Sequence, residues 1–404
     1  MDSFRYLILG GGVVAGYAAQ AFADADVDPG QVAIISEDSV PPYERPPLSK
    51  DYLAGDQQKH EILINDADFY AEKGIQTFLE TQITEIDIDD KTLSAEDGRR
   101  FGYDKLLIAT GSRIRKLDLP GADDDEIYYL RWLDDAKRIR QRYQTAKRAI
   151  VIGGGFIGME TAAVLASQNL TVTWILPDEY PLADLFTPQM GQFFTRRYGE
   201  EGVTLIPQAK VEAFQRQDGE LAVILDNGMT VSAEMALVGV GVEPATQLFT
   251  GTALTLDDGV RVNEYLETNI PDLYAAGDVA NYRDLIFDKQ RRIEHWDNAV
   301  AQGKHAAQVM TGQRQPFIHV PYFFSDEFDL SWEFWGDTTD ADQIVHRGNV
   351  DEGSFSAWWL KEDRLVAAFV LDRPDEEREA AQQWIRECKT LSAEDLINGE
   401  IAPG

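Results

Sequence analysis

Three observations predict an α/β chain of two Rossmann-like nucleotide-binding domains followed by a small α+β C-terminal domain. A short apolar strand near the N-terminus runs into a glycine-rich turn and then a helical run; the same design recurs about 140 residues later; and from Phe317 onward the texture changes to aromatic alternation. The first turn reads Leu7-Ile8-Leu9 into Gly10-Gly11-Gly12-Val13-Val14-Ala15-Gly16, and the second Ala149-Ile150-Val151-Ile152 into Gly153-Gly154-Gly155-Phe156-Ile157-Gly158. Glycines suit this place because a pyrophosphate must reach the free N–H groups at a helix N-terminus, where the helix dipole favours negative charge and a Cβ would stand in the way. A single turn of this kind also serves as a plain strand-to-helix junction, so context carries the reading. Each turn is followed by a second strand that ends in acid, residues 32–36 into Glu37-Asp38 and residues 172–177 into Asp178-Glu179. A carboxylate there accepts hydrogen bonds from an adenosine ribose. Two such units point to two dinucleotides, between which electrons can pass.

Taken in order, the first unit extends to the apolar strand and small-residue turn of residues 103–112, and the expected first segment is 1–114. A linker at 115–121 and a charge-rich helix at 133–144 lead into the second glycine turn. The second unit, 115–242, closes with the strand at 235–241. Another strand, within residues 268–278, ends in Gly277-Asp278, so the first domain is expected to resume over 243–316 after an insertion. The final segment, 317–404, shows period-two aromatic patterning, which argues for antiparallel strands. One helix over 375–388 is expected to close it.

The 404 residues carry 37 basic and 70 acidic side chains, a formal charge of -33, with 44% apolar residues. Such a surface repels nucleic acid and anionic membranes and reads as a solubility device, effective in a salty cytoplasm. No run approaches the roughly 18 apolar residues of a membrane helix. Residues 1–5 enter the first strand directly, and the glycines behind them are unlike a secretory core, so a cytoplasmic location is expected. The single cysteine, Cys388, excludes an internal disulfide and a C-x-x-C redox pair. It reads as filler in the last helix. No motif calls for a metal.

Six segments together resemble the FAD-dependent pyridine nucleotide oxidoreductases of the glutathione-reductase type: GGGVVAGYAAQAF (10–22), PPYERPPLSKDYL (41–53), LLIATGS (106–112), VIGGGFIGME (151–160), YAAGDVA (274–280) and EHWDNAVAQG (294–303). Within that group the chain is most similar to monodehydroascorbate reductases and to bacterial ferredoxin and rubredoxin reductases, and SDEFDLSWEFWG (325–336) leans toward the former. The resemblance implies FAD along the first unit, with Gly10, Gly12 and Ala15 at the pyrophosphate, Glu37 or Asp38 at the ribose, and Arg45 and Lys50 reaching the cofactor. Ile83, Thr110, Gly111 and Arg131 complete the expected cofactor-binding set, and Asp278 is to hold the ribityl chain. NAD is implied on the second unit, at Gly153, Gly155, Ile157, Gly158 and Gly241. Asp178 and Glu179 would repel a 2′-phosphate, so NADH is the expected donor. Asp184, standing where the plant enzymes place an arginine, argues the same way.

Lys50 and Glu160 are the expected catalytic residues, the lysine because a cation favours the electron-rich reduced flavin, the glutamate as its partner near the nicotinamide. A helix starting at Trp296 or Asp297 should aim its N-terminus at the flavin, with Trp296 beside the ring and Glu294 and His295 lining the nucleotide. His295 receives no catalytic role, since hydride transfer needs no proton relay. Two positions depart from the plant pattern: Val300 replaces an arginine and Phe324 a tyrosine, and with Trp296 they make the expected acceptor pocket apolar. The expected activity is NADH-dependent reduction of FAD, followed without a redox disulfide by transfer to a one-electron acceptor. The partners are monodehydroascorbate radical, a quinone-like molecule or an iron–sulfur carrier, acting with a monomer or homodimer. The alternative is a redox-switched binding protein of the apoptosis-inducing-factor type.

Overall fold

Strand β1 (Asp2–Leu9) is buried from Tyr6 onward and forms the centre of a largely parallel sheet. Apolar side chains on both faces are what such a sheet demands, since helices cover it on either side. The computed structural model describes residues 1–399 and 401. Two compact units emerge, the first made of Met1–Arg45, Lys59–Arg113 and Glu243–Phe323, the second of Pro46–Gln58, Ile114–Val242 and the chain from Phe324 onward.

In the first unit β2 (Val32–Ile35), β3 (Gln76–Phe78), β4 (Ile83–Asp87), β5 (Thr92–Ala95) and β6 (Arg100–Ile108) join β1 in the order β3-β2-β1-β6-β5-β4. Leu7 lies opposite Ala33 on one side and Leu106 on the other, and the returning strand Leu273–Ala275 pairs in parallel with the end of β6. This register gathers the C-terminal ends of β1, β6 and that returning strand, the edge at which doubly wound sheets bind ligands. Helix α1 (Val13–Asp24) starts there and is buried along most of its length. The helix Trp296–Met310 crosses it closely, because a Cβ on Gly303 would stand 2.7 Å from the Val14 carbonyl oxygen.

The second unit repeats the plan. Strands β7 (Ile127–Tyr129), β8 (Arg148–Ile152), β9 (Thr171–Ile175), β10 (Thr204–Ile206) and β11 (Met235–Val238) form an all-parallel sheet in the order β10-β9-β8-β11-β7. Helices α2 (Phe156–Ser167) and α3 (Pro188–Glu200) accompany it. The C-terminal strands are β12 (Tyr322–Glu327), β13 (Leu330–Gly336), β14 (Gln343–Asn349), β15 (Ser354–Lys361) and β16 (Arg364–Leu371), ordered β12-β13-β16-β15-β14. The alternation read from the sequence sets Trp332, Phe355 and Phe369 on one buried face, and Phe194 of α3 meets Trp332 and Phe369 with ring centroids 6.1 and 6.4 Å away.

Helix α4 (Asp375–Arg386) stops short of the expected end, and a further helix α5 (Ala393–Asn398) follows, started by the Ser392–Asp395 capping box. Cys388 is therefore not helix filler: it is exposed, with a left-handed φ of 54° in the turn beyond α4. Among the described residues, no helix is long and apolar enough to cross a membrane.

Candidate active site

The two glycine turns share one geometry. Gly10 and Gly153 have φ of 125° and 117°, and a Cβ on either would come within 2.1 Å of a backbone carbonyl oxygen, that of Ala109 or Gly239. These glycines are demanded by the protein itself, which has no room for a side chain at the crossover. Gly12 and Gly155 differ: each is the N-cap of its helix, and a Cβ there would meet nothing within 4 Å. The absence of a side chain at these two positions leaves the first N–H groups of α1 and α2 open to an anion. That cradle fits the pyrophosphate of a dinucleotide. The third position is not equivalent between the turns. Gly158 is held by packing, since its Cβ would collide with the Gly153 carbonyl oxygen at 2.0 Å, whereas Ala15 carries a methyl and is fully buried. In the second turn the indole of Trp174, itself in the core, donates to the Gly153 carbonyl oxygen at 2.8 Å and fixes the loop.

Around the first turn, the two acids after β2 separate in role. Asp38 accepts from Tyr43 Oη at 2.9 Å and from the Val40 N–H at 3.2 Å, so its carboxylate braces its own loop, while Glu37 is exposed. Arg45 lies over the Tyr43 ring at 4.9 Å. Thr110 donates to the Ala245 carbonyl oxygen at 2.9 Å and the Gly111 carbonyl oxygen accepts from the Ala245 N–H, which ties the end of β6 to the returning chain. Asp278 accepts from Ser112 Oγ at 2.6 Å. Ile83 opens β4 and is half-buried.

The helix Trp296–Met310 has His295 as its N-cap residue. His295 stacks on Phe323 with centroids 4.4 Å apart, and burial pushes its pKa down to about 4 against the pull of Asp278 and Asp297. It is neutral near pH 7. Glu294 pairs with Arg292. Trp296 Nε1 donates to Glu44, whose other carboxylate oxygen accepts from Tyr17 Oη at 2.7 Å. Glu44 was not singled out in the sequence; its place inside the Tyr43-Glu44-Arg45 segment was the available signal. Val300 is half-buried against the core of this unit.

In the second unit Asp178 and Glu179 are exposed beyond β9, as is Asp184. Ile157 is half-buried in the first turn of α2, and Gly241 has a φ of 94° while its carbonyl oxygen accepts from the Arg115 N–H at 3.0 Å. Arg131 lies past β7, its N–H donating to Asp135 at 3.0 Å.

Lys50 and Glu160, 110 positions apart, meet inside this same unit. Lys50 leaves the turn Pro46–Ser49 and is 9% exposed; Glu160, on α2, is 7% exposed. Lys50 Nζ stands 3.5 Å from Glu160 Oε1, 3.2 Å from Asp326 Oδ2 and 4.2 Å from the centroid of the Phe324 ring. Glu160 also accepts from Ser49 Oγ and, at 2.6 Å, from Ser325 Oγ. A buried carboxylate survives when paired and hydrogen-bonded in this way. Phe324, expected at an acceptor pocket, carries the lysine cation on its face. Ser49, Ser325 and Asp326 were not expected at the pair, although the aromatic alternation from Phe317 onward did announce strands in this segment.

Two dinucleotide cradles and a buried ion pair, in a chain with one exposed cysteine, define an oxidoreductase that works between two nucleotides. The pyridine nucleotide-disulphide oxidoreductase model matches residues 4–303 and the reductase C-terminal model residues 322–402. A seedling monodehydroascorbate reductase of Cucumis sativus is 34% identical over 98% of this chain and 97% of its own. The monodehydroascorbate reductase of Solanum lycopersicum is 36% identical over 94% and 93%. Among solved structures, a ferredoxin reductase from Rhodopseudomonas palustris superposes with a TM-score of 0.94 at 29% identity, covering 99% of both chains. The chain belongs to the pyridine nucleotide-disulphide oxidoreductase family, and its cofactors are FAD and NAD.

Proposed function

We propose that this protein takes a hydride from NADH onto FAD and hands the electrons singly to a small acceptor of the monodehydroascorbate-radical type. The observation that carries this reading is the open cradle repeated at Gly12 and Gly155 in a chain whose one cysteine, Cys388, cannot form an internal disulfide. Bound flavin supplies the step from two-electron to one-electron chemistry. In the first unit, Gly12 and the start of α1 would receive the FAD pyrophosphate, Glu37 rather than the braced Asp38 the ribose, and Asp278 the ribityl chain. In the second, Gly155 and the start of α2 would receive the NAD pyrophosphate, with Asp178 or Glu179 at the ribose. Lys50, paired with Glu160, supplies the fixed positive charge that favours a reduced flavin. The neutral His295 takes no part as an acid.

Two curated relatives named for the monodehydroascorbate radical, at 34% and 36% identity, support that acceptor. A second reading, an iron–sulfur carrier, is favoured by the likeness to a ferredoxin reductase. The charge of -33 disfavours it, because an acidic carrier would be repelled unless salt screens the approach. Mixing the NADH-reduced holoprotein with the radical and, separately, with a ferredoxin distinguishes them. Rapid reoxidation by the radical is expected, with a salt dependence weaker than a protein carrier would show because the radical carries a single negative charge; reoxidation by the ferredoxin alone would overturn the proposal.

The donor preference follows from the exposed acids after β9. Bringing a 2′-phosphate against Asp178 and Glu179 sets like charges together, a cost of several kcal/mol when desolvated. Reduction by NADPH should therefore be slower than by NADH by about tenfold or more at low concentration. The double variant D178S/E179R should narrow the gap chiefly through KM. Equal rates in the unaltered protein would show that neither acid faces the ribose.

A further inference from the structure

Glu327 takes no part in holding Lys50, yet it belongs to the same buried cluster. Alternation along β12 places it on the face of Ser325, whose hydroxyl donates to Glu160. It is 1% exposed; Oε2 accepts from Trp332 Nε1 at 2.8 Å, and Oε1 has no hydrogen-bond partner among the described residues. The groups that face it are Glu160 from α2, the buried phenol of Tyr198 from α3, Trp332 from β13, Ser325 of its own strand, and Lys50. Tyr198 spends its proton on the Met159 carbonyl oxygen at 2.8 Å, and the Lys50 ammonium is already shared between Glu160 and Asp326. Glu160 and Asp326 thus share the one ammonium, and Glu327 is a third carboxyl within the electrostatic reach of Glu160 and Lys50. A second buried anion close to Glu160 would have neutral donors, chiefly the Trp332 indole, and no cation of its own to answer it.

We propose that Glu327 is a positioning residue that stands as a neutral carboxylic acid, leaving Glu160 the buried anion for Lys50, so that the pairing of Lys50 depends on the proton Glu327 holds. This rests on Lys50 and Glu160 being the working pair. Burial raises the pKa of Glu327 to about 8, with Glu160 adding to the rise and Ser325, Trp332 and Lys50 opposing it. Above that pH Glu327 becomes an anion that competes with Glu160 for Lys50.

Infrared spectra of the holoprotein and stopped-flow reduction by NADH, both followed over roughly pH 6 to 10, test this. A protonated-carboxyl carbonyl band should vanish near pH 8, and the reduction rate should fall by about threefold or more with the same midpoint. In E327Q the band and the pH limb should both be absent. In W332F, which removes the donor that favours the anion, the midpoint should move upward, and this variant carries the test if E327Q folds poorly. A spectrum without a titrating band, or a limb that persists unchanged in E327Q, would overturn the proposal. Should the band titrate while a Lys50 variant reduces normally with NADH, the fault lies in the assignment of the pair and not in the protonation of Glu327.

Discussion

Replacing Gly12 by alanine should give folded protein that has lost its flavin, whereas replacing Gly10 by alanine should give little folded protein at all. The added methyl at Gly12 meets no atom of the described residues within 4 Å, and glycine-to-alanine exchange at a helix N-cap costs about 1 kcal/mol. The methyl does enter the space over the first N–H groups of α1, where a pyrophosphate must come into contact. The ratio of flavin to protein absorbance after purification is expected to drop about tenfold or more, with Tm of the apoprotein lowered by only a few degrees. At Gly10 the φ of 125° and a carbonyl oxygen 2.1 Å from the new Cβ strain the backbone directly, at roughly 3 kcal/mol or more. A G12A protein with its full flavin complement would contradict the cradle reading. The same pair in the second unit should divide likewise: G155A should weaken NADH binding and leave the flavin in place, whereas G153A, with a φ of 117° and a carbonyl oxygen 2.1 Å from the new Cβ, should give little folded protein.

Replacing Lys50 by alanine should damage both stability and turnover. Glu160 is 7% exposed, and removing its ion-pair partner leaves a buried carboxylate with only the hydroxyls of Ser49 and Ser325. Breaking such a pair from one side costs roughly 3–5 kcal/mol. Reduction by NADH should slow by about 100-fold or more if Lys50 supplies the charge that favours the reduced flavin. The double variant K50A/E160Q separates the two effects. Neutralising Glu160 removes the stranded charge, so thermal stability should recover by a large part of the loss, while the rate should stay low. Recovery of the rate along with stability would show that Lys50 only props up the fold.

The parts of this account that were legible in the sequence are those written in local pattern. The two strand–turn–helix junctions at Gly10–Gly12 and Gly153–Gly155 were readable because a glycine demanded by φ and one that leaves the helix N-terminus open recur at the same spacing. Aromatic alternation announced the strands that bury Trp332, Phe355 and Phe369, since period two is a property of the strand itself. The end of α4 was not legible: no proline or glycine stands close after Arg386, and the amphipathic pattern runs on to Cys388 although the backbone turns left-handed there.

Long-range polar partners were the least legible. The alternation of β12 puts Ser325 and Glu327 on one face, but which face meets Glu160 is settled by packing across 165 positions of chain. What separates Glu37 from Asp38 is the phenol of Tyr43, which engages one carboxylate of two adjacent ones. Glu44 joins Tyr17 to Trp296 through its two oxygens, a junction no local pattern signals.

Anaerobic titration of the purified holoprotein with NADH, followed at the flavin absorbance band, tests the central claim most directly. With a single cysteine in the chain, flavin is the sole two-electron store, so bleaching should be complete at one equivalent of NADH per FAD, and one-electron acceptors should restore the band in two equivalents. An endpoint at two equivalents of NADH would reveal a second redox group, and a flavin that NADH leaves unbleached would contradict electron transfer between the two nucleotides.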